Sequence, residues 1–316
     1  MDNLKQLYSK DLNIMKYFRE HGDVCDSNSM DAVLCAYDYQ AGDYTQNYNA
    51  NNLKKGVYLC KNDKMGETYQ RIELTPGEFS RLAAKCLAAV MKNMEFESLL
   101  EVGVGEATTL CDILLNLQKE KNVYGIELSL SRLYYAQKFA KQKGVAVHLA
   151  AGDMFSLPFE DNSIDLVFTY YCIDAHRGKE RQAVEEMLRV SSRYLILVEP
   201  TYELGNEETK RRIDEQYYIK NLQETLEKMD VRILEYRLFD VYTQNNNSAI
   251  IILEKMDKAE KKMEKLFYAC PVCKKKLAEH KGNLYCDDGF NLYPVIGRIP
   301  VLLKDNAILC SKYLEF

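Results

Sequence analysis

The chain has no apolar run long enough to cross a bilayer as a helix, which takes roughly 20 residues, so no membrane span is expected. It also lacks an excess of positive charge: 42 Lys and Arg stand against 47 Asp and Glu, a formal net charge of −5. A broad nucleic-acid footprint needs clustered cations to neutralise phosphates, so a nucleic-acid partner is not expected. The first residues, Met1-Asp2-Asn3-Leu4-Lys5, carry no apolar signal-peptide core. Without a secretion signal, the ten cysteines read as reduced thiols or metal ligands rather than a disulfide framework. A cytoplasmic location is the expectation. What is present, 47% apolar and 28% charged residues over 316 positions, suits one large globular domain plus a small one.

The chain is organised around Ser98-Leu99-Leu100-Glu101-Val102-Gly103-Val104-Gly105-Glu106-Ala107-Thr108-Thr109. A short apolar run turns through two glycines into a helical pattern of Leu110, Ile113, Leu114 and Leu117. The glycines let backbone approach a ligand, and the helix N-terminus points free N–H groups at it. By itself this could be an ordinary strand–helix turn. Val123-Tyr124-Gly125-Ile126-Glu127 then reads as a second strand ending in a carboxylate, about 20 residues past the glycines, where a doubly wound fold presents an acceptor to ribose hydroxyls. An adenosine-type cofactor follows.

The dinucleotide fingerprint would place a third glycine at position 108, where Thr108 stands. Glu101 precedes the first glycine instead, and a carboxylate there repels a pyrophosphate and attracts a cation. The pattern Glu101-x-Gly103-x-Gly105-x-Ala107 resembles motif I of the class I S-adenosylmethionine-dependent methyltransferases. The family usually has Gly where Ala107 stands. The resemblance implies an α/β fold: a doubly wound, Rossmann-like seven-stranded sheet with its last strand antiparallel. It implies S-adenosylmethionine as cofactor, with Glu101, Gly103, Gly105, Glu127, Leu128 and Tyr170 around it.

In chain order, residues 1–22 carry Leu4, Leu7, Tyr8, Leu12, Met15 and Phe18 at helical spacing. Residues 37–48 mix Tyr, amides and acids without a clean period and are expected as a surface loop or as a lid over a substrate pocket. Thr75-Pro76-Gly77-Glu78 opens a helix with a capping box. A helix is predicted over 133–143 and a third strand over 145–149, followed by Asp153 and Met154. The resemblance gives these the adenine amino group and ring; the bland reading of Asp153 is a turn cap. Ser156 to Phe168 is similar to the "LPF-D-x-S-F-D-x-V" stretch of the quinone-biosynthesis methyltransferases and predicts a turn and a fourth strand, with Tyr170, Tyr171 and His176 at its C-terminal end. A helix over 180–190, a fifth strand ending at Glu199, a helical insertion over 205–229 and strands over 231–236 and 248–253 complete the pattern. The resemblance covers about residues 95–255.

Residues 256–265 are charged and helix-prone, a linker helix with interleaved acids. In the tail, Cys270-Pro271-Val272-Cys273 has metal-knuckle spacing and Cys286 follows. A fourth ligand belongs near Gly289, and His280, Asp287, Asp288 or Cys310 is a substitute; the alternative is a metal-free ribbon. Residues 293–303 resemble the end of the small zinc-ribbon proteins that activate methyltransferases. The expected organisation is a helical and lid extension over 1–94, a cofactor-binding domain over 95–255, a linker helix over 256–266 and a small zinc-ribbon-like β domain over 267–316.

Methyl transfer from a sulfonium chiefly requires orientation, and a base only where the nucleophile must lose a proton. His176 is the base candidate, against a surface histidine opening the next helix. Tyr39, Tyr44, Tyr171 and Glu199 are the substrate-pocket candidates, whereas His21, in a loop, and His148, in a strand, read as structural. The expected function is methyl transfer to a small-molecule acceptor. An RNA methyltransferase and a non-catalytic, cofactor-binding scaffold are the alternatives, and no oligomeric state follows from the sequence.

Overall fold

The computed structural model describes residues 14–21, 29–50, 53–62, 68–118, 121–256 and 267–316. The first half of the expected N-terminal helix and all but the first residue of the expected linker helix lie outside them. Helix α1 (Ile14–His21) ends with the histidine expected in a loop. Helix α2 (Met30–Tyr39) starts at Ser29, whose hydroxyl accepts the Ala32 N–H at 3.2 Å. Helix α3 (Asp43–Asn49) follows a turn at Gly42, whose φ is +104°. A Cβ there would stand 2.9 Å from the Tyr135 ring, so glycine meets both the backbone conformation and the close approach. Residues 37–48, expected to be irregular, are thus largely helical.

Strands β1 (Gly56–Asn62) and β2 (Thr68–Leu74) form a hairpin that the sequence reading did not identify. Helix α4 (Pro76–Met91) has the predicted capping box. The Thr75 hydroxyl accepts the Glu78 N–H, and the Glu78 carboxylate accepts the Thr75 N–H at 2.8 Å.

The central unit follows as β3 (Ser98–Val102), α5 (Thr108–Leu117), β4 (Asn122–Glu127), α6 (Leu130–Lys143), β5 (His148–Gly152), β6 (Ile164–Tyr170), α7 (Glu180–Val190), β7 (Ser191–Pro200), α8 (Glu207–Gln216), α9 (Leu222–Glu227), β8 (Val231–Leu238), β9 (Val241–Thr243) and β10 (Ser248–Lys255). The sheet order is β5-β4-β3-β6-β7-β10-β8, parallel from β5 to β7, with β10 antiparallel to both neighbours. This is the expected seven-strand core. A parallel sheet is covered on both faces, which is why β3 is buried along its whole length and a separate apolar cluster packs on each side. Strand β5 begins at His148 rather than Val145. Strand β9 leaves the core to pair with β1, making a second sheet, β2-β1-β9, that spans the expected boundary at residue 94.

In the tail, β11 (Ala278–His280), β12 (Asn283–Cys286) and β13 (Asn291–Tyr293) precede β14 (Val295–Ile296), β15 (Ile299–Leu302) and β16 (Ile308–Leu309). A small antiparallel sheet, β11-β12-β13-β16, stands apart from the main one. The β14–β15 pair instead joins the main sheet, β15 running parallel to β5, so the central sheet has nine strands. An edge strand exposes unpaired N–H and C=O groups, and the tail covers those of β5. The tail is also held where the Ser156 hydroxyl donates to the Pro271 carbonyl at 2.6 Å and Lys274 pairs with Glu186 at 3.0 Å. Among the described residues no helix is long and apolar enough to cross a membrane.

Candidate functional site

The C-terminal ends of the parallel strands open onto one cavity of about 580 Å³, within the size range of small-molecule sites. Open α/β sheets bind ligands at this end because the strand-to-helix turns and helix N-termini converge there. The turn after β3 is tied down by the Gly103 and Val104 N–H groups, which donate to the Ile126 carbonyl at 2.8 and 2.9 Å. Gly103 has φ +74°, and a Cβ on it would lie 2.3 Å from Cys172 Sγ, so no other residue fits unchanged. Ala107 takes φ +57°, a left-handed backbone that glycine adopts more cheaply. The family's usual glycine at this position has that physical cause.

Two carboxylates flank the turn. Glu101 is buried, its Oε2 has no hydrogen-bond partner among the described residues, and burial and then the nearby Glu127 hold its carboxyl well above the usual range. Glu127 accepts the Gly105 N–H at 2.9 Å and the Ser129 N–H at 3.0 Å, and faces Arg132 at 3.8 Å. Asp153 accepts the Phe155 N–H at 2.9 Å, the turn-cap geometry of its bland reading, yet it borders the cavity, and burial raises its carboxyl. Leu128, Met154 and Tyr170 border the same space, so all eight expected cofactor residues surround it.

The expected catalytic and substrate residues divide. His176 borders the cavity with its Nδ1 buried and unpartnered among the described residues. Burial, assisted by Lys179, lowers it to about 4, so the imidazole is neutral near pH 7 and only weakly basic. Tyr44 and Tyr171 also border the cavity, and Tyr171 shares a hydrogen bond with Ser248. Tyr39 does not; it packs at the end of α2 beside a small apolar cluster that includes Met15, Val33 and Ile213. Nor does Glu199, which lies behind the wall. It accepts the Thr169 hydroxyl at 2.7 Å and the Cys172 N–H at 3.1 Å, fixing the turn at Tyr171, whose φ is +55°. Its role in the fold is to shape the wall. His148, exposed on β5, lies against Tyr124 with ring centroids 5.0 Å apart.

Several cavity residues went unread in the sequence. Glu106 is buried and accepts the Gly42 N–H at 2.8 Å, the Tyr44 N–H at 3.4 Å and the Thr45 N–H at 2.7 Å. One carboxylate thereby caps α3 and fastens it to the glycine turn. Arg132 lies beside the rings of Tyr37 and Tyr44, 5.2 and 4.7 Å from their centroids, joining α2 and α3 to α6. Asp174, Arg212 and Tyr218 line the part of the cavity nearest α8. Segments 37–48 and 170–176 contain no Lys or Arg, but the cavity they border receives two arginines from elsewhere. Only Asp174, two residues before His176, had a local signal.

In the tail, the Cys270, Cys273 and Cys286 thiols lie within 4.8 Å of one another. Among the described residues neither His280, Asp287, Asp288 nor Cys310 joins them, so the expected substitutes are not brought to the cluster. The group nearest to a fourth partner is the Tyr293 hydroxyl, 3.2 Å from Cys270 Sγ. Burial opposes ionisation of Cys270, but hydrogen bonds from Tyr293 and from the Cys273 and Val272 N–H groups outweigh it and lower that thiol.

Residues 99–193 match the family profile described as a methyltransferase domain. Norajmaline N-methyltransferase from Rauvolfia serpentina is 32% identical over 100 residues, 30% of this chain and 32% of that protein's own length. The fold is similar to that of the [4+2]-cyclase SpnF, with TM-score 0.54 and 16% identity over 72% of this chain and 97% of that one. It is also similar to magnesium protoporphyrin IX methyltransferase from Synechocystis PCC 6803, solved with bound SAH, with TM-score 0.53 and 12% identity over 72% of this chain and 100% of that one. The chain carries a Rossmann-like methyltransferase fold.

Proposed function

We propose that this chain is an S-adenosylmethionine-dependent methyltransferase acting on a small-molecule acceptor. One observation carries the reading. The Glu101 Oε2 and the Tyr170 hydroxyl, buried and unpartnered among the described residues, border the same cavity as the glycine turn, Glu127 and Asp153. A buried acceptor left open costs about 1–3 kcal/mol until a donor meets it. An ammonium beside Glu101 is such a donor and favours its ionised form.

In this reading Glu127 uses its remaining lone pairs for the ribose hydroxyls. Asp153 accepts from the adenine amino group, and Leu128 and Met154 flank the ring. Gly103 and Gly105 let the backbone approach. The sulfonium, when bound, supplies a methyl carbon open to in-line displacement. The chain's contribution is to orient the acceptor and exclude water, and orientation is worth up to ~7–11 kcal/mol. His176 is a weak base, so positioning carries more of the rate than proton removal.

Zinc is part of the proposal. Three thiols in one cluster are donors that suit it, and a structural role there leaves methyl transfer untouched. Such thiols belong in a reducing compartment such as the cytoplasm. The tail, residues 267–316, is then a zinc ribbon like those of the activator proteins, joined to a catalytic unit over 95–255 of the quinone-biosynthesis type.

SpnF, a cyclase, has a similar fold, so the fold alone does not establish methyl transfer, and a non-catalytic, cofactor-binding scaffold is the second reading. Calorimetry with S-adenosylmethionine, followed by labelled-methyl transfer to a metabolite extract and to RNA, separates the readings. Micromolar binding with label in small molecules is expected. Binding without label favours the scaffold, and label only in RNA overturns the acceptor class.

A further inference from the structure

Three residues bordering the cavity on the α8 side each carry a buried polar side-chain atom with no hydrogen-bond partner among the described residues: Asp174 Oδ1, His176 Nδ1 and Arg212 Nε. Buried polar groups are nearly always paired, so three open ones around one space point to a ligand that pairs them. Their chemistry is not of one kind. A carboxylate accepts hydrogen bonds, a neutral imidazole nitrogen accepts or donates one, and a guanidinium only donates, matching a carboxylate by its planar fork.

Asp174 and Arg212 attract one another electrostatically, yet the Nε of Arg212 remains unpaired. A purely cationic ligand would leave the arginine unanswered. A purely anionic one would face Asp174. The phenol-bearing walls from Tyr37, Tyr171 and Tyr218 accommodate an apolar or aromatic body between the two charges.

We propose that this end of the cavity takes an amino acid as the methyl acceptor, its amine beside Asp174 and His176 and its carboxylate at Arg212. The inference rests on the methyltransferase reading and narrows its substrate class. In the transfer the amine's lone pair forms the new N–C bond while the C–S bond breaks. The sulfonium's electron pair returns to sulfur as a neutral thioether, and the methylated nitrogen releases one proton to solvent.

The full chain, with labelled S-adenosylmethionine, is offered three matched pools: the protein amino acids, their decarboxylated amines and their deaminated acids. Label is expected in the amino acid pool, roughly tenfold or more above either truncated pool, the loss that follows from leaving one charge-assisted bond unmade. Arg212→Gln should raise KM for the labelled amino acid by roughly tenfold while cofactor affinity stays unchanged, and Arg212→Lys should recover part of the loss. Calorimetry of that amino acid binding to protein saturated with S-adenosylhomocysteine should show the same ordering. Equal labelling of amines and amino acids, or an Arg212→Gln effect equal on both, overturns the proposal. Cofactor binding with no label in any pool overturns it while leaving cofactor recognition standing. Failure to bind S-adenosylmethionine removes both readings.

Discussion

Val301 stands opposite Ala151 as a parallel strand partner, with Leu302 opposite Gly152. Strand β5 therefore reaches Asp153 with a tail strand along its outer edge. The valine is buried in the same apolar cluster as α6, so the joint is both a backbone ladder and a packed contact. Val301→Asp places an unpaired charge in that contact, a change of ~3 kcal/mol or more. The expected result is a lower Tm and weaker cofactor binding, because the end of β5 loses its neighbour. Unchanged affinity in calorimetry would mean that the tail covers β5 without supporting the cavity.

The thiol cluster makes a separate prediction. Protein purified without chelator should contain about one zinc per chain, because three close thiols are a soft-donor set. Cys270→Ser should release it and lower the Tm, since binding free energy at such a site is folding free energy. Elemental analysis is the measurement, and metal-free wild-type protein would leave a ribbon held only by its small core.

Glu127 is the sharpest test of the cofactor site. Glu127→Ala would also strand the Gly105 and Ser129 N–H groups and the Arg132 charge, mixing stability with binding. Glu127→Gln keeps an acceptor and the shape while removing the charge. It should weaken S-adenosylmethionine binding roughly tenfold, since charge-assisted hydrogen bonds contribute ~1.5–3 kcal/mol. Retained wild-type affinity, or preferential binding of NAD, would remove the ribose assignment.

Stability should fall between pH 6.5 and 8 because of Glu199. Burial, then the neighbouring Asp174, raises its carboxyl to about 8 from an ordinary 4.5. Between those values the folded chain keeps a proton that the unfolded chain has lost, so rising pH disfavours folding. Burial raises Asp174 to about 6, with the same sign over the range from 3.8. His176, lowered to about 4 by burial, acts oppositely up to its ordinary 6.5. Above 6.5 His176 no longer opposes Glu199, whose own contribution has a slope on the order of 1 kcal/mol per pH unit. Urea titrations at pH 6.5, 7.2 and 8 should show the decline, and Glu199→Gln should make it shallower, with the raised Glu101 carboxyl retaining the same sign. An equal slope in the variant would place its origin elsewhere.

The sequence by itself determined the seven-strand core and the residues around the glycine turn. Those features are local: a buried parallel strand reads as an apolar run, a left-handed turn demands glycine, and a carboxylate at a strand end is fixed by strand length. It did not determine the helix at 43–49, whose tyrosines and amides give no apolar stripe and whose seat is the distant Glu106 carboxylate. Nor could it show that Arg132 and Arg212 enter the cavity while Glu199 stays behind its wall, or that β15 extends the central sheet. Such contacts join residues far apart in the chain, and no short-range pattern records which of many possible partners the packed sheet brings within reach.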